Sequence, residues 1–133
     1  MAKPEAALAK RVKDNLSGCH ITRLESRVGL GIPDMLIAFK APSKFVMLEL
    51  KVVSAGRKVR LSPHQVSFHA RHAELGCPTF ILVDWKVKGE LRLYANSQAI
   101  SLAVSGWVEE PCWSSDSKTV SWDMLRHEMV RLR

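Results

Sequence analysis

Cysteine is scarce in this chain, and its few copies follow no recognisable pattern. The 133 residues include three cysteines, Cys19, Cys77 and Cys112, which are widely separated and form no Cys-x-x-Cys pair. An odd count at such spacings argues against a disulfide framework and against a zinc ribbon. Free cysteines suit a reducing compartment, so we expect the protein to work in the cytoplasm.

Long hydrophobic runs are also missing. No stretch reaches the roughly eighteen consecutive apolar residues that suggest a membrane-spanning helix, and the N-terminus lacks the uninterrupted apolar segment of a signal peptide. We therefore predict neither a membrane span nor a signal peptide. The sequence contains no internal repeat and no low-complexity segment, and its length predicts a single domain over residues 1–133.

Acidic residues are outnumbered by basic ones. The chain has 13 Asp and Glu against 20 Lys and Arg, which gives a formal net charge of +7. Such an excess suits a polyanionic partner, although an ordinary solvated surface would also show it. The basic residues are concentrated in three groups: Lys10, Arg11 and Lys13; Arg57, Lys58 and Arg60; and Arg126, Arg131 and Arg133.

Three charged residues stand in apolar surroundings. Asp34 precedes the apolar segment 35–39, and Glu49 and Lys51 end a nearly continuous apolar run that begins at Phe45. Residues i and i+2 of a strand point to the same face, so Glu49 and Lys51 are predicted to project together. Because burying a charge is costly unless it is paired or binds a metal, a purely structural strand would avoid these residues.

The short break at residues 40–44 predicts that the two apolar segments form an antiparallel hairpin. Folding back brings the Asp34 end beside the Glu49 end. A register slip of one residue would invert every side chain, and we predict the register that places both carboxylates on one face. Two carboxylates and a lysine would then suit a divalent cation and a phosphodiester. The alternative is a solvated hairpin end with a surface ion pair.

The first predicted helix, Pro4–Leu16, offers a third carboxylate. Its apolar stripe includes Leu8 and Val12, and Glu5 falls on the same face. We therefore predict that Glu5 points inward to the acidic site. A favourable interaction with the helix dipole would also explain an acid in the first turn, without requiring it to face inward.

A second helix is predicted from Ser62 to about Leu75. Ser62 is a good N-cap, Pro63 suits the first helical position, and Gln65 completes a capping box. His69 and His72 share a face with Gln65, and we predict them to be surface or DNA-facing histidines. No third ligand at a recognisable spacing supports a zinc site there.

The rest of the chain alternates strands and helices. A near-continuous hydrophobic run predicts a central strand at Thr79–Trp85, and alternation predicts its neighbour at Glu90–Tyr94. Short helices are predicted at 97–104 and 122–132, and the region 107–119 is predicted to be irregular. With His20–Leu24 predicted as a strand, the order up to Trp85 is helix, strand, strand, strand, helix, strand.

Basic residues near the acidic site are predicted DNA contacts. The glycine-containing loop at 54–60 carries Arg57, Lys58 and Arg60, and the first helix carries Lys10 and Lys13. Such residues suit phosphate contacts, which position a duplex without reading its sequence. A mobile, solvated loop is the alternative interpretation of 54–60.

This order and its motifs resemble the PD-(D/E)XK nuclease superfamily and, more narrowly, the virus-type replication-repair nuclease (VRR-NUC) domain. The matching segments are Gly31–Asp34, Phe45–Lys51 and Leu61–Gln65, followed by Gly76 and a hydrophobic strand. They span residues 5 to 85 when Glu5 is included. The resemblance implies an α/β fold with a restriction-endonuclease-like α-β-β-β-α-β core, in which helices flank a small mixed sheet.

The resemblance also implies roles for individual residues. Asp34 and Glu49 would bind Mg²⁺ or Mn²⁺, with the carbonyl of Leu50 and the carboxylate of Glu5 as further ligands. Lys51 would be the catalytic lysine, and Gln65 would lie at the site as well as cap its helix. The motif-bearing core is expected to cover residues 5–95.

The expected function is a metal-dependent, structure-selective DNA endonuclease that acts on branched DNA such as Holliday junctions or flaps. Stand-alone members of the family tend to be homodimers, so we expect a homodimer in a bacterial or phage-infected cell. The C-terminal extension 96–133 contains Trp107, Trp113 and Trp122, which could form a dimer surface or belong to the core. The alternative function is a non-catalytic nucleic-acid-binding module with a nuclease-like fold.

Overall fold

Six strands and four α-helices make up the fold, which a computed structural model describes over residues 3–24 and 30–131. Leu132 and Arg133, named in the predictions above, lie outside this part of the chain. In chain order, the elements are α1 Lys3–Asn15, β1 Cys19–Arg23, β2 Met35–Lys40, β3 Ser43–Val53, α2 Pro63–Glu74, β4 Thr79–Trp85, β5 Glu90–Ala95, a 3₁₀ turn Asn96–Gln98, α3 Ala99–Ser105, β6 Trp113–Asp116 and α4 Trp122–Val130.

The strands form one mixed sheet in the order β1-β2-β3-β4-β5-β6. Only the central pair, β3 and β4, is parallel among the described strands, and the other neighbours are antiparallel. A parallel pair needs a crossover connection, and α2 lies in that connection. The predicted α/β architecture, with a mixed sheet between helices and Thr79–Trp85 as a central strand, is confirmed.

Helices cover both faces of the sheet. On one face, α1 and α4 pack their apolar stripes against β-strand side chains that include Leu48, Leu50 and Leu82. On the other face, Ile81 and Val83 pack with α3 and Trp107, and α2 lies beside α3. Successive residues of β4 thus enter different cores, which explains why this strand is apolar on both faces.

The turn between β2 and β3 is shorter than the predicted break at 40–44. Lys40 ends β2 and Ser43 begins β3, so only Ala41 and Pro42 connect them. The pairing Lys40↔Ser43 continues without interruption to Met35↔Leu48. This uninterrupted ladder fixes how the residues just before Met35 lie relative to those just after Leu48.

The prediction of an irregular region at 107–119 is wrong in part, because Trp113–Asp116 forms β6. This edge strand pairs with β5, from Leu93↔Trp113 to Glu90↔Asp116. The segment Trp-Ser-Ser-Asp has too few apolar residues to show a strand pattern, so its pairing depends on a neighbouring edge rather than on its own composition.

The tryptophans of the C-terminal extension belong mainly to the core. Trp107 is 7% exposed, and Trp113 and Trp122 are half-buried against the core on the α1 and α4 face. Trp107 also lies 4.5 Å from the Trp85 ring, centroid to centroid. Of the two interpretations offered by the sequence, core packing describes these three residues. No helix in the described part of the chain is long and apolar enough to cross a bilayer.

Candidate active site

Asp34 and Glu49 lie opposite each other at the open end of the β2–β3 hairpin. The antiparallel register pairs Met35 with Leu48, so one step further places Asp34 across from Glu49. Directly opposed residues of an antiparallel pair project from the same face. The two carboxyl groups are close enough for each to affect the pKa of the other. The predicted register is therefore confirmed.

The backbone holds Asp34 in place from two neighbouring strands. The amide N–H of Leu50 donates a 2.7 Å hydrogen bond to Oδ2 of Asp34. The amide of Leu24, just after β1, donates to the Asp34 carbonyl oxygen at 2.8 Å. These bonds tie both the side chain and the main chain of Asp34 to the sheet.

Gly31 brings the segment before Asp34 against the start of α2. Its φ is +75°, and a Cβ added there would lie 2.3 Å from the carbonyl carbon and oxygen of His64. Only glycine allows this approach, because it has no Cβ and tolerates positive φ. The glycine of the Gly31–Asp34 motif thus sets the distance between the hairpin and α2.

Glu49 is a buried acid, with 2% of its surface exposed. Its Oε2 accepts a 3.3 Å hydrogen bond from Nε2 of Gln65. Its Oε1 has no hydrogen-bond partner among the described residues. Nε2 of the His69 ring lies 3.7 Å from Oε1.

Burial raises the pKa of both carboxyl groups. The pKa of Asp34 rises to about 7, chiefly through desolvation and then through the negative charge of Glu49. Desolvation also raises the pKa of Glu49, while its hydrogen bond from Asp34 and the charge of Lys51 lower it. The pair therefore still holds a proton at pH values where two exposed acids would both be ionised. One ammonium beside the pair does not compensate two buried negative charges.

Lys51 and Gln65 complete the cluster on the same face. Nζ of Lys51 donates a 3.0 Å hydrogen bond to Oε1 of Gln65. The same oxygen accepts a 2.9 Å bond from the backbone N–H of Ser62, and the Ser62 hydroxyl accepts from the amide of Gln65. The predicted capping box is confirmed. Gln65 therefore caps α2 and, with the other end of its amide, contacts Glu49.

Glu5 lies at the edge of this cluster rather than inside it. It lines a cleft of about 230 Å³ together with Lys51, Lys58 and Arg60. Its negative charge contributes to the raised pKa of Glu49, as the smallest of the four causes. Over the described residues, no three His, Cys, Asp or Glu side chains converge on one cation position. The role of Glu5 as a ligand stays a prediction.

The structure brings two of the five predicted DNA contacts to this cleft. Lys58 and Arg60 line it. Arg57 points elsewhere and forms an exposed ion pair with Glu109 at 3.1 Å. On α1, Lys10 pairs with Asp14 and Lys13 is exposed, and neither is among the residues that line the cleft.

The residues present fit a hard divalent cation. Asp34 and Glu49 supply carboxylate oxygens, and the unpartnered Oε1 of Glu49 has free lone pairs. Mg²⁺ is typically held by one or two carboxylates, with water and substrate phosphates as its other ligands. A cation would also compensate the paired negative charges that raise the pKa of Asp34. The Leu50 carbonyl remains a predicted ligand.

His69 contradicts the prediction of surface or DNA-facing histidines. Its side chain is completely buried, and desolvation lowers its pKa to about 4. His72 is half-buried and stacks on Phe68, with 4.0 Å between ring centroids. The i, i+4 spacing from Gln65 was the signal that could have placed His69 beside Glu49.

Comparison with solved structures identifies the fold. The chain resembles Hjc of Archaeoglobus fulgidus, a Holliday junction resolvase from an archaeal hyperthermophile. The TM-score is 0.51 at 14% sequence identity, over 71% of this chain and 74% of that chain. No protein-family model and no curated protein sequence matches the chain. The protein therefore shares the fold of this resolvase, an α/β arrangement in which helices flank a mixed sheet.

Proposed function

We propose that this protein is a metal-dependent, structure-selective DNA endonuclease of the VRR-NUC type. It would hydrolyse phosphodiester bonds in branched DNA, such as Holliday junctions or flaps. The observation that carries the proposal is the side-by-side placement of Asp34 and Glu49 at the end of one hairpin. Lys51 projects from the same face of β3. The structural likeness to Hjc, a Holliday junction resolvase, supports a branched substrate.

The proposed chemistry divides between a bound ion and the residues around it. When bound, Mg²⁺ or Mn²⁺ supplies Lewis-acid polarisation of the scissile phosphate and lowers the pKa of the attacking water. Asp34 and Glu49 hold the ion. Lys51 donates hydrogen bonds to the water or to a phosphate oxygen and so stabilises the charge that develops there.

Gln65 restrains Lys51 in this scheme. Its Oε1 accepts from Lys51 Nζ, and the capping box prevents the amide from turning away. The ammonium is thereby held close to the carboxylates before DNA arrives. Such preorganisation is the main source of electrostatic catalysis in enzyme sites.

Lys58 and Arg60 make the cleft beside the carboxylates suitable for a DNA backbone. Lys58, Arg60 and Lys51 all line the cleft, so phosphates within it would lie among three positive charges. These contacts would fix the position of the backbone and leave the bases unread. The protein would then recognise the shape of the DNA rather than its base sequence, which suits an enzyme that acts on branched DNA.

The homodimer and the cellular location belong to the same proposal. Ile100 and Val104 are exposed apolar residues one turn apart on α3, with 57% and 82% of their surface accessible. They support a subunit contact within the C-terminal extension 96–133. We place the enzyme in the cytoplasm of a bacterial or phage-infected cell. A mass measurement in solution tests the dimer.

Cleavage of defined DNA substrates tests the proposed function. Four-way junction, flap and linear duplex would each be incubated with Mg²⁺, Mn²⁺ or EDTA. We expect the wild-type protein to cut branched DNA only with a divalent ion, and Glu49→Ala to be inactive. Glu74→Ala changes an exposed acid on α2 and serves as the matched control, with wild-type activity.

Two outcomes would overturn the proposal in different ways. Robust metal-dependent cutting by Glu49→Ala would show that cleavage does not require the carboxylate pair. Failure of the wild-type protein to cut any substrate, together with salt-sensitive DNA binding, would favour the non-catalytic binding module.

A further inference from the structure

Two buried polar atoms face each other at the centre of the site without a hydrogen bond. Oε1 of Glu49 and Nε2 of His69 are shielded from solvent, and neither has a partner within the described part of the chain. The two atoms are 3.7 Å apart, whereas an N–H···O bond spans about 2.7–3.2 Å. Native proteins rarely leave such groups unpaired, so a pair of them aimed at each other points to a functional arrangement.

Helix α2 presents two polar side chains to the one carboxylate. Gln65 and His69 are four residues apart and therefore lie on the same helix face. Gln65 donates to Oε2 of Glu49 at 3.3 Å, and His69 faces Oε1. Each carboxylate oxygen has two lone pairs, so hydrogen bonds from α2 to both oxygens still leave lone pairs for a cation.

The Thr79 hydroxyl contacts the other ring nitrogen of His69 and can donate a hydrogen bond to it. Nδ1 of His69 lies 2.8 Å from Oγ1 of Thr79, the first residue of β4. When the hydroxyl donates to Nδ1, the ring hydrogen is on Nε2 and points at Glu49. The other neutral tautomer would direct the Nε2 lone pair at a carboxylate oxygen, which is electrostatically unfavourable.

We propose that His69 is a positioning residue, which donates its Nε2–H to Oε1 of Glu49 in the tautomer that the Glu49 carboxylate favours and a hydrogen bond from the Thr79 hydroxyl supports. It would fix the orientation in which Glu49 binds the cation. The assignment rests on the proposed metal-dependent function. Groups that hydrogen-bond a ligating carboxylate orient it, and their loss commonly lowers metal affinity by about 10–100-fold.

Mn²⁺ affinity of four purified variants tests this role. His69→Leu removes the donor, and we expect about 10–100-fold weaker binding. His69→Gln places an amide N–H near the position of Nε2, and we expect an affinity closer to that of the wild type. Thr79→Val keeps the shape of the side chain but removes the hydroxyl, so it should weaken binding less than His69→Leu. His72→Gln, one turn further along α2, is the matched control and should leave the affinity unchanged.

Combining the substitutions separates a specific relay from general damage to the fold. The amide that His69→Gln introduces has no ring tautomer for the Thr79 hydroxyl to support. Thr79→Val should therefore weaken Mn²⁺ binding in the wild-type background and have no further effect in the His69→Gln background. Equal effects of Thr79→Val in both backgrounds would overturn the proposed role of Thr79.

Two spectroscopic readouts complete the test. Long-range ¹H–¹⁵N correlation spectra of the metal-free wild-type protein should show hydrogen on Nε2 of His69, and hydrogen on Nδ1 alone would overturn the proposal. Electron spin echo spectra of the Mn²⁺ form should show no directly bound imidazole nitrogen, because a bound nitrogen would make His69 a ligand. If His69→Leu bound Mn²⁺ as tightly as the wild type, the proposed positioning role of His69 would also be refuted. A wild-type protein that binds Mn²⁺ with these variant effects, yet cuts no DNA, would refute only the nuclease proposal.

Discussion

Replacing Asp34 by asparagine should stabilise the metal-free protein while removing its cation site. Burial and the charge of Glu49 raise the pKa of Asp34 from 3.8 to about 7. The folded protein therefore holds a proton that the unfolded chain releases near pH 4. Stability falls as the pH rises through this window, because unfolding then releases the proton. The amide introduced by Asp34→Asn cannot ionise, so the variant should not lose this stability as the pH rises.

The magnitude follows from the size of the shift. About three pKa units, at about 1.4 kcal/mol per unit, set an upper limit near 4 kcal/mol. Asp34 is only partly buried, and solvent screens its charge, so we expect a gain of about 2 kcal/mol at pH 8. The introduced amide can still accept from the Leu50 N–H and donate to Glu49. The gain should shrink steadily as the pH falls from 7 towards 4.

Urea unfolding in EDTA at pH 8 and at pH 4.5 measures the effect. With a slope of about 2 kcal/mol per molar urea, the midpoint of Asp34→Asn should lie about 1 M higher at pH 8. Glu74→Gln, an exposed neutralisation on α2, should shift the midpoint little at either pH. Adding Mn²⁺ at about 100 times its Kd should stabilise the wild type by about 2.7 kcal/mol and reverse the ranking. A wild type that is as stable as Asp34→Asn at pH 8 without metal would refute the reasoning.

Three further predictions address the lysine, the cleft and the motif glycine. Lys51→Ala should slow single-turnover cleavage by about 10²–10³-fold, because it removes one preorganised donor; wild-type cleavage would exclude Lys51 from the chemistry. Lys58→Gln with Arg60→Gln should weaken junction binding and reduce the slope of log K against log salt by about 2, measured by fluorescence anisotropy. Lys88→Gln, in the β4–β5 turn, is the control for this pair, and an unchanged slope in the double variant would remove the cleft from the DNA interface. Gly31→Ala should destabilise the fold by about 3 kcal/mol or more in urea unfolding, since its Cβ would collide with His64 at 2.3 Å. Gly56→Ala also has positive φ but meets no atom within 4 Å, so equal losses in the two variants would contradict a role for close approach.

The site could be predicted from the sequence where its determinants are local. The register of Asp34 and Glu49 follows from a short turn and an uninterrupted hairpin ladder, and side-chain alternation places Lys51 beside Glu49. The Ser62 capping box is likewise contained in four residues. These features needed no knowledge of the rest of the chain.

The directions in which the basic side chains of loop 54–60 point depend on contacts with residues far away in the sequence. Val59 is buried and its amide donates to the carbonyl of Gly106 at 2.7 Å, while Arg57 reaches Glu109. These anchors turn Arg57 away from the cleft and leave Lys58 and Arg60 lining it. A pattern of charges along the sequence contains no information about such contacts.

His69 illustrates the same limit in the core. Its spacing from Gln65 placed it on the correct helix face, but imidazole is common both inside proteins and on their surfaces. The ring is buried in the structure, and its Nδ1 lies 2.8 Å from Oγ1 of Thr79 on strand β4, a contact between residues that are ten positions apart. The edge strand β6 was not predicted for a related reason: it forms by pairing with β5, and its own four residues do not show a strand pattern.

The central claim is that Asp34 and Glu49 form the centre of a metal-dependent phosphodiesterase. Its most direct test is the single-turnover rate of four-way junction cleavage as a function of Mg²⁺ concentration, for the wild type and Glu49→Gln. We predict a wild-type rate that rises with Mg²⁺ and is zero in EDTA, and a rate for Glu49→Gln that is lower by at least about 10²–10³-fold. Cleavage in EDTA, or a wild-type rate for Glu49→Gln, would contradict it.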